Sequence, residues 1–252
     1  MTLKTFRHTF GYNDLVRIRK PTRTPGQDLR DLPTYSVPEA ARFLAIPPRT
    51  LSYWFSGRNR IFRPAGNYHT YSLLSFKDVA EAYMLYVLRN YYDFSSRSIK
   101  QFLENLKKET RSQHPLFDRD IRVFGSSLLL NRPRHGTRPR EVVDLHHRQL
   151  TLAEVTDVFS KRILQDEQGH PLRVFPWRDF QTDHESRPVS IDPEVLSGRL
   201  VVTGTRIPVS VLLGMKLANI APDKIAQDYR LDVETVKKAL RHVENPILRK
   251  VA

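Results

Sequence analysis

Between Ser36 and Phe55 the chain writes two short apolar helical faces with a hard break between them. Ser36 is a good N-cap, and Glu39 completes a capping box. Val37, Ala40, Ala41 and Leu44 then share one helical face. The run Ala45-Ile46-Pro47-Pro48 stops that helix, and Pro48 suits the first position of the next. Leu51, Trp54 and Phe55 supply the second face, which Gly57 ends. A pattern this short and broken leaves a plain helical hairpin or a helix-turn-helix. The latter needs small residues where its helices approach, a tight turn and polar side chains facing out from the second helix. Ala40 and Ala41 are the small residues, Ile46 is the buried plug, and Arg49, Thr50, Ser52 and Tyr53 face outward. The fork of Arg49 matches guanine or a phosphate. Arg58, Arg60 and Arg63 extend the basic surface toward a nucleic-acid backbone.

A second such pattern runs from Ala221 to His242. Ile225, Ala226 and Tyr229 face Val233, Val236 and Leu240, with Leu231 as the plug and Asp232 as the cap. The outward residues of its last helix are mixed: Glu234 and Thr235, then Lys237, Lys238 and Arg241. Glu234 opposes a phosphate backbone, so Thr235, Lys237, Lys238 and Arg241 serve either DNA or a protein partner.

Charge narrows the partner class. The 252 residues carry 41 Lys plus Arg against 27 Asp plus Glu, a formal net charge of +14. That surplus points to nucleic acid, an anionic membrane or an acidic protein. Hydrophobic residues make up 40%, enough to bury a core. The absence of cysteine excludes disulfides and thiolate metal sites and agrees with a cytoplasmic location. No apolar run is long enough for a signal peptide or a membrane span; Lys77, Asp78 and Glu81 interrupt the most apolar stretch.

The rest of the chain sets the organisation. Residues 1–33 read as a basic, Pro-rich flexible arm. Residues 34–118 hold the first helix-turn-helix, a short strand at Thr70–Leu73, a helix from Phe76 capped by Ser75, and another begun by Ser95 or Ser96. Residues 119–180 read as a strand-containing segment that dimerises, with strands near 122–130, 141–145 and 172–176; Thr156–Leu164 reads as either strand or helix, with Val155, Val158, Phe159 and Ile163 favouring helix. A polar linker over 178–188 leads to a compact unit at 188–246, with strands at Val189–Ile191 and Leu200–Val202. The expected class is mainly α with small β elements, an α+β fold.

Nine histidines are scattered, and the adjacent His146 and His147 point apart. No metalloprotease, phosphate-loop, nucleophile-elbow or dinucleotide motif occurs, so no enzyme, metal or cofactor is expected.

Two stretches also carry resemblances. Ser36 to Ser72 resembles the winged-helix domain of MerR-type regulators through Val37-Pro38-Glu39-Ala40-Ala41, Arg49-Thr50-Leu51 and Tyr53-Trp54, with Tyr71-Ser72 at the wing. The long Arg58–Thr70 insert departs from that pattern. The tail resembles a domain of formerly unknown function found in antitoxins, through Ile191-Asp192-Pro193, Gly198-Arg199-Leu200-Val201-Val202 and Gly204-Thr205-Arg206-Ile207-Pro208-Val209. The whole layout resembles VapB-type antitoxins. That resemblance implies neutralisation of a PIN-like ribonuclease toxin, autorepression at an inverted-repeat operator on double-stranded DNA, and a homodimer. Gly204, Thr205 and Arg206 read as a structural turn, with Arg206 pinning it through backbone carbonyls or Asp192; direct contact with DNA or toxin is the other reading. A stand-alone regulator, or an interaction module with no DNA role, also fits the residues.

Overall fold

The computed structural model describes residues 28–56, 60–62, 66–68, 71–91, 100, 103–104, 107–108, 114–117, 161–179, 182–183 and 185–244. The strands expected at 122–145 and the arm up to residue 27 lie outside these. The class is α+β, as expected: helices lie around two small antiparallel sheets.

The first half opens on a 3-10 turn at Leu29–Asp31, whose Asp28 side chain accepts from Arg30 N. This turn falls inside the stretch read as an arm, yet it is tied to the body. Arg30 reaches Asp166 at 2.7 Å, Lys77 reaches Asp31 at 2.7 Å, and Leu32 is buried. Strand β1 (Tyr35–Ser36) leads into α1 (Val37–Leu44) and α2 (Pro48–Phe55). Strands β2 (Gly66–Tyr68) and β3 (Tyr71–Leu74) follow, and the sheet order is β1-β3-β2 with Tyr35 opposite Leu74.

Helix α3 (Phe76–Tyr91) is the centre of the molecule. Phe76, Val79, Ala80, Tyr83, Met84, Val87 and Leu88 are all buried, and so are Ala82 and Leu85 on its other sides. A helix buried on most of its sides belongs in a core. Its two buried carboxylates are each satisfied. Asp78 accepts from Ser75 N at 2.8 Å while Ser75 Oγ accepts from Asp78 N at 3.1 Å, the reciprocal cap that starts the helix. Glu81 accepts from Leu116 N at 3.3 Å and lies 3.0 Å from His114 Nδ1. Burial pulls the His114 imidazole down, but the hydrogen bond and charge of Glu81 outweigh it, so its pKa is raised. Beyond α3, Lys100, Leu103, Glu104, Lys107 and Lys108 are helical, in the place expected for a fourth helix.

The second sheet runs β4-β5-β6-β7: Ile163–Gln165, Pro171–Val174, Val189–Ile191 and Leu200–Val202. Of the stretch read as either strand or helix, 156–160 lie outside the described residues; Lys161 and Arg162 are helical, as favoured, but Ile163 and Leu164 are extended in β4. The reason is tertiary. Ile163 pairs across from Val174 and is buried there, so a β-branched residue that helical spacing had claimed is held in a ladder. Helices α4 (Val209–Leu217), α5 (Pro222–Tyr229) and α6 (Val233–Val243) complete the tail. Their Val209, Leu212, Ile225, Ala226, Val236, Ala239 and Leu240 join the buried residues of α1 to α3 and of the second sheet in one continuous core.

Two contacts tie α3 to α6 through Trp177. Tyr83 of α3 accepts from Trp177 N at 3.0 Å, and Trp177 stacks on His242 of α6 with ring centroids 6.2 Å apart.

Candidate functional site

Both helix pairs expected from the sequence form, and their turns are built alike. Ser36 Oγ accepts from Glu39 N at 3.3 Å to start α1. At its end Ala45 takes the left-handed conformation (φ 54). Ile46 N then donates to Ala41 O at 2.9 Å and Ala45 N to Arg42 O at 3.3 Å. That is a Schellman turn, and Ile46 is buried beneath it as its plug. At the end of α5, Arg230 is left-handed (φ 54), Leu231 N donates to Ala226 O at 2.9 Å and Arg230 N to Gln227 O at 3.3 Å. Neither left-handed residue is glycine, so each turn is held by its plug rather than by backbone freedom.

The second helices of the two units differ in what they expose. On α2, Leu51, Trp54 and Phe55 are buried, while Arg49, Ser52 and Tyr53 are exposed and Thr50 is half-buried. Arg60 is exposed just beyond the helix. Neither Arg49 nor Arg60 meets a carboxylate among the described residues. Arg58 and Arg63 lie outside the described residues. Between them in sequence, Ile61 N and Phe62 N both donate to Trp54 O, at 2.8 and 3.0 Å, which folds the chain back over α2. Phe62 stacks on Phe55, and Lys107 Nζ donates to Ile61 O at 3.2 Å.

On α6 every cation is matched. Lys237 lies 3.3 Å from Glu234, Lys238 lies 2.6 Å from Asp183, and Arg241 lies 3.6 Å from Asp179. Lys238 also donates to Ser186 Oγ at 3.0 Å. The Lys238 ammonium, hydrogen-bonded to Asp183, holds that carboxyl below its ordinary pKa. Thr235 is spent at the cap: its N donates to Asp232 Oδ2 at 2.8 Å, and its hydroxyl lies 3.1 Å from the same oxygen. Asp179 and Asp183 come from the stretch read as a linker, which here braces α6. Counting from the two left-handed residues sets Arg49 against Glu234, Ser52 against Lys237 and Tyr53 against Lys238.

At the turn Gly204-Thr205-Arg206, the side chain bonded to the turn's own backbone is that of Thr205. Gly204 holds φ +77, and Thr205 Oγ1 donates to Val202 O at 2.9 Å and accepts from Ile207 N at 3.0 Å. Asp192, the expected partner of Arg206, is instead engaged by Arg173 at 2.7 Å, and Arg206 is exposed. A short hydroxyl sits closer to the turn's own backbone than a long guanidinium does. Among the described residues no group of histidines and carboxylates is placed to hold a metal, and no helix is long and apolar enough to cross a membrane.

Comparison with known proteins agrees in extent with this architecture. Residues 189–242, from β6 through α6, match the family model described as "Protein of unknown function (DUF433)". The chain is 24% identical over 235 residues to "Putative antitoxin VapB45" of Mycobacterium tuberculosis, an alignment covering 83% of this chain and 93% of that one. The fold is similar to the crystal structure of Rv2018 from Mycobacterium tuberculosis, with a TM-score of 0.60 at 23% identity over 82% of this chain and 96% of that one.

Proposed function

We propose that this chain is the DNA-binding antitoxin of a toxin–antitoxin pair, with α2 as the element that reads its operator. The observation that carries the DNA assignment is the contrast between the two helix pairs. Arg49 and Arg60 stand exposed with no carboxylate partner among the described residues, whereas Lys237, Lys238 and Arg241 are each matched to one. Neutralising phosphates releases counterions, and a cation already neutralised inside the protein gains little from that. Arg49 therefore reads a base or anchors a phosphate, with Thr50, Ser52 and Tyr53 beside it, and Arg60 with Arg58 and Arg63 follows the backbone. The hairpin β2–β3 serves as the wing of a MerR-like head. The antitoxin assignment is supported by similarity to "Putative antitoxin VapB45" across most of both chains. The tail then docks the toxin, a PIN-like ribonuclease on the family resemblance. The protein acts in the cytoplasm, as a homodimer on an inverted repeat, without catalysis or cofactor.

The test is binding of the purified chain to the DNA upstream of its own gene, against a scrambled duplex, at low and physiological salt. Wild type is expected to prefer the upstream duplex, and Arg49→Ala to lose that preference. Equal, salt-labile binding to both duplexes, indifferent to Arg49, would overturn the reading.

A further inference from the structure

The last carbonyls of a helix have no partner inside it, so something outside must close them. At the end of α2 the following chain does so. Trp54 O accepts from Ile61 N at 2.8 Å and from Phe62 N at 3.0 Å. Phe62 is buried and stacks on Phe55 with ring centroids 5.2 Å apart. A second element grips the same fold-back from the far side. Lys107, 46 residues from Ile61 in sequence, donates from Nζ to Ile61 O at 3.2 Å. Its ammonium lies 5.7 Å from the centre of the Phe62 ring, within cation–π reach. Ile61 is therefore held at both its N–H and its C=O, and the residue before it is the exposed Arg60.

We propose that Lys107 is a positioning residue for DNA binding: it fixes the Ile61–Phe62 fold-back, and so sets Arg60 beside α2 before a duplex arrives. This rests on the reading of α2 as the DNA-binding helix. A segment ordered only on binding costs conformational entropy, and one already held does not. The chemistry of the anchor suits a surface that meets phosphates. The partners of Lys107 are a carbonyl dipole and a ring face, both neutral, and among the described residues it forms no ion pair with a carboxylate. The fold-back is thus tied down without bringing a negative charge to the place where Arg60 works. The tail does the reverse: Lys238 and Arg241 are anchored by Asp183 and Asp179, which cancel their charge. Lys107 acts through Arg60, because its own ammonium is spent on Ile61 O.

Two measurements on the full chain test this. The first uses no DNA. In Lys107→Met, which keeps the stem over Phe62, the amides of Ile61 and Phe62 should exchange with solvent at least about tenfold faster than in wild type, while those of α1 stay as protected as before. The second is fluorescence anisotropy with the upstream and scrambled duplexes over a salt series. Lys107→Met should bind both roughly three- to tenfold more weakly, with the slope of log affinity against log salt smaller by up to about one, as when one phosphate contact is lost. Lys107→Arg supplies the same donor and cation and should restore both quantities. In an Arg60→Ala background, Lys107→Met should change affinity by less than about twofold and leave the slope alone. Equal losses in both backgrounds, with the slope falling in each, would make Lys107 a phosphate contact in its own right and overturn the proposal. Unchanged affinity or unchanged amide exchange in Lys107→Met would also overturn it. Arg49→Ala, measured alongside, separates the two readings. Selective, Arg49-dependent binding without coupling between positions 60 and 107 removes the positioning role alone. Equal binding to both duplexes with that coupling intact removes the operator reading and leaves the positioning role. Binding to neither removes both.

Discussion

The imidazole Nε2 of His242, in the last helix, lies 2.8 Å from the carbonyl oxygen of Phe43, in the first. A carbonyl only accepts, so Nε2 carries the proton and donates it. The ring is fully buried, with Trp177 stacked on it. Burial pushes its pKa down to about 4, and nearby Arg178 adds to that push. The two helix pairs are thus joined through a histidine that burial keeps neutral.

A pH dependence follows. The folded-state pKa lies below the ordinary value of 6.5, so the unfolded chain binds the proton first. The contribution is complete above pH 6.5 and is lost as pH falls toward 4, amounting to about 3 kcal/mol for this one group. His114, with its pKa raised by Glu81, has the opposite sign: its contribution is present in acid and is lost as pH rises through the raised value. The difference between proteins isolates His242. In denaturant melts, wild type should lose stability below pH 6.5, and His242→Gln, which keeps an N–H for Phe43, should lose much less. Parallel acid curves for the two would remove the buried neutral histidine as the cause.

The GTR turn separates two kinds of residue. Thr205→Val keeps the shape but removes the hydroxyl that bonds Val202 O and Ile207 N, and should cost about 1–2 kcal/mol. Arg206→Ala, at an exposed side chain, should stay within about 0.5 kcal/mol of wild type. Thermal melts of the two variants settle which residue holds the turn.

Lys238 and Arg49 should part in the opposite sense. Lys238→Ala breaks a partly exposed pair with Asp183, so it should cost under about 1 kcal/mol of stability. Its affinity for the upstream duplex should stay within about twofold of wild type, because that ammonium is already neutralised. Arg49→Ala should melt like wild type and bind that duplex roughly ten- to a hundredfold more weakly. Fluorescence anisotropy measures both. A large binding loss from Lys238→Ala would return α6 to the DNA surface.

Local chemistry was legible in the sequence and long-range pairing was not. Ser36, Ile46, Pro48 and Leu231 announce their roles because caps, plugs and helix starts are set by neighbours in the chain. Ile163 misled because a ladder with Val174 decides its state, and Val174 is not a sequence neighbour. Lys238 and Arg241 looked free for the same reason: their partners Asp183 and Asp179 sit in a segment whose polarity suggested a linker. Asp192, offered beside backbone carbonyls as a partner of Arg206, is engaged by Arg173 from the neighbouring strand. The outward residues of α2 were readable from helical spacing alone, and the match between Glu234 and Arg49 became visible only once both turns were seen to be built alike.

Gly198 and Tyr35 give the sharpest test of how closely the tail sits on the head. Gly198 holds φ +77, and a Cβ built there would fall 1.8 Å from Tyr35 Oη and 2.8 Å from Cζ. The tyrosine is buried, its hydroxyl has no hydrogen-bond partner among the described residues, and burial drives its pKa up. Gly198→Ala therefore meets two penalties: a left-handed conformation, worth about 1–2 kcal/mol, and a clash with an aromatic ring that core packing holds in place, worth about 1–3 kcal/mol. Tyr35→Phe alone removes an unsatisfied buried hydroxyl and should be neutral or stabilising. In the double variant it removes the nearest clashing atom but leaves the ring carbon, so part of the loss should return and the backbone strain should remain. A double-mutant cycle from urea melts reads this directly as a coupling of about 1 kcal/mol or more between positions 35 and 198. Strict additivity would mean that the two residues do not meet in solution.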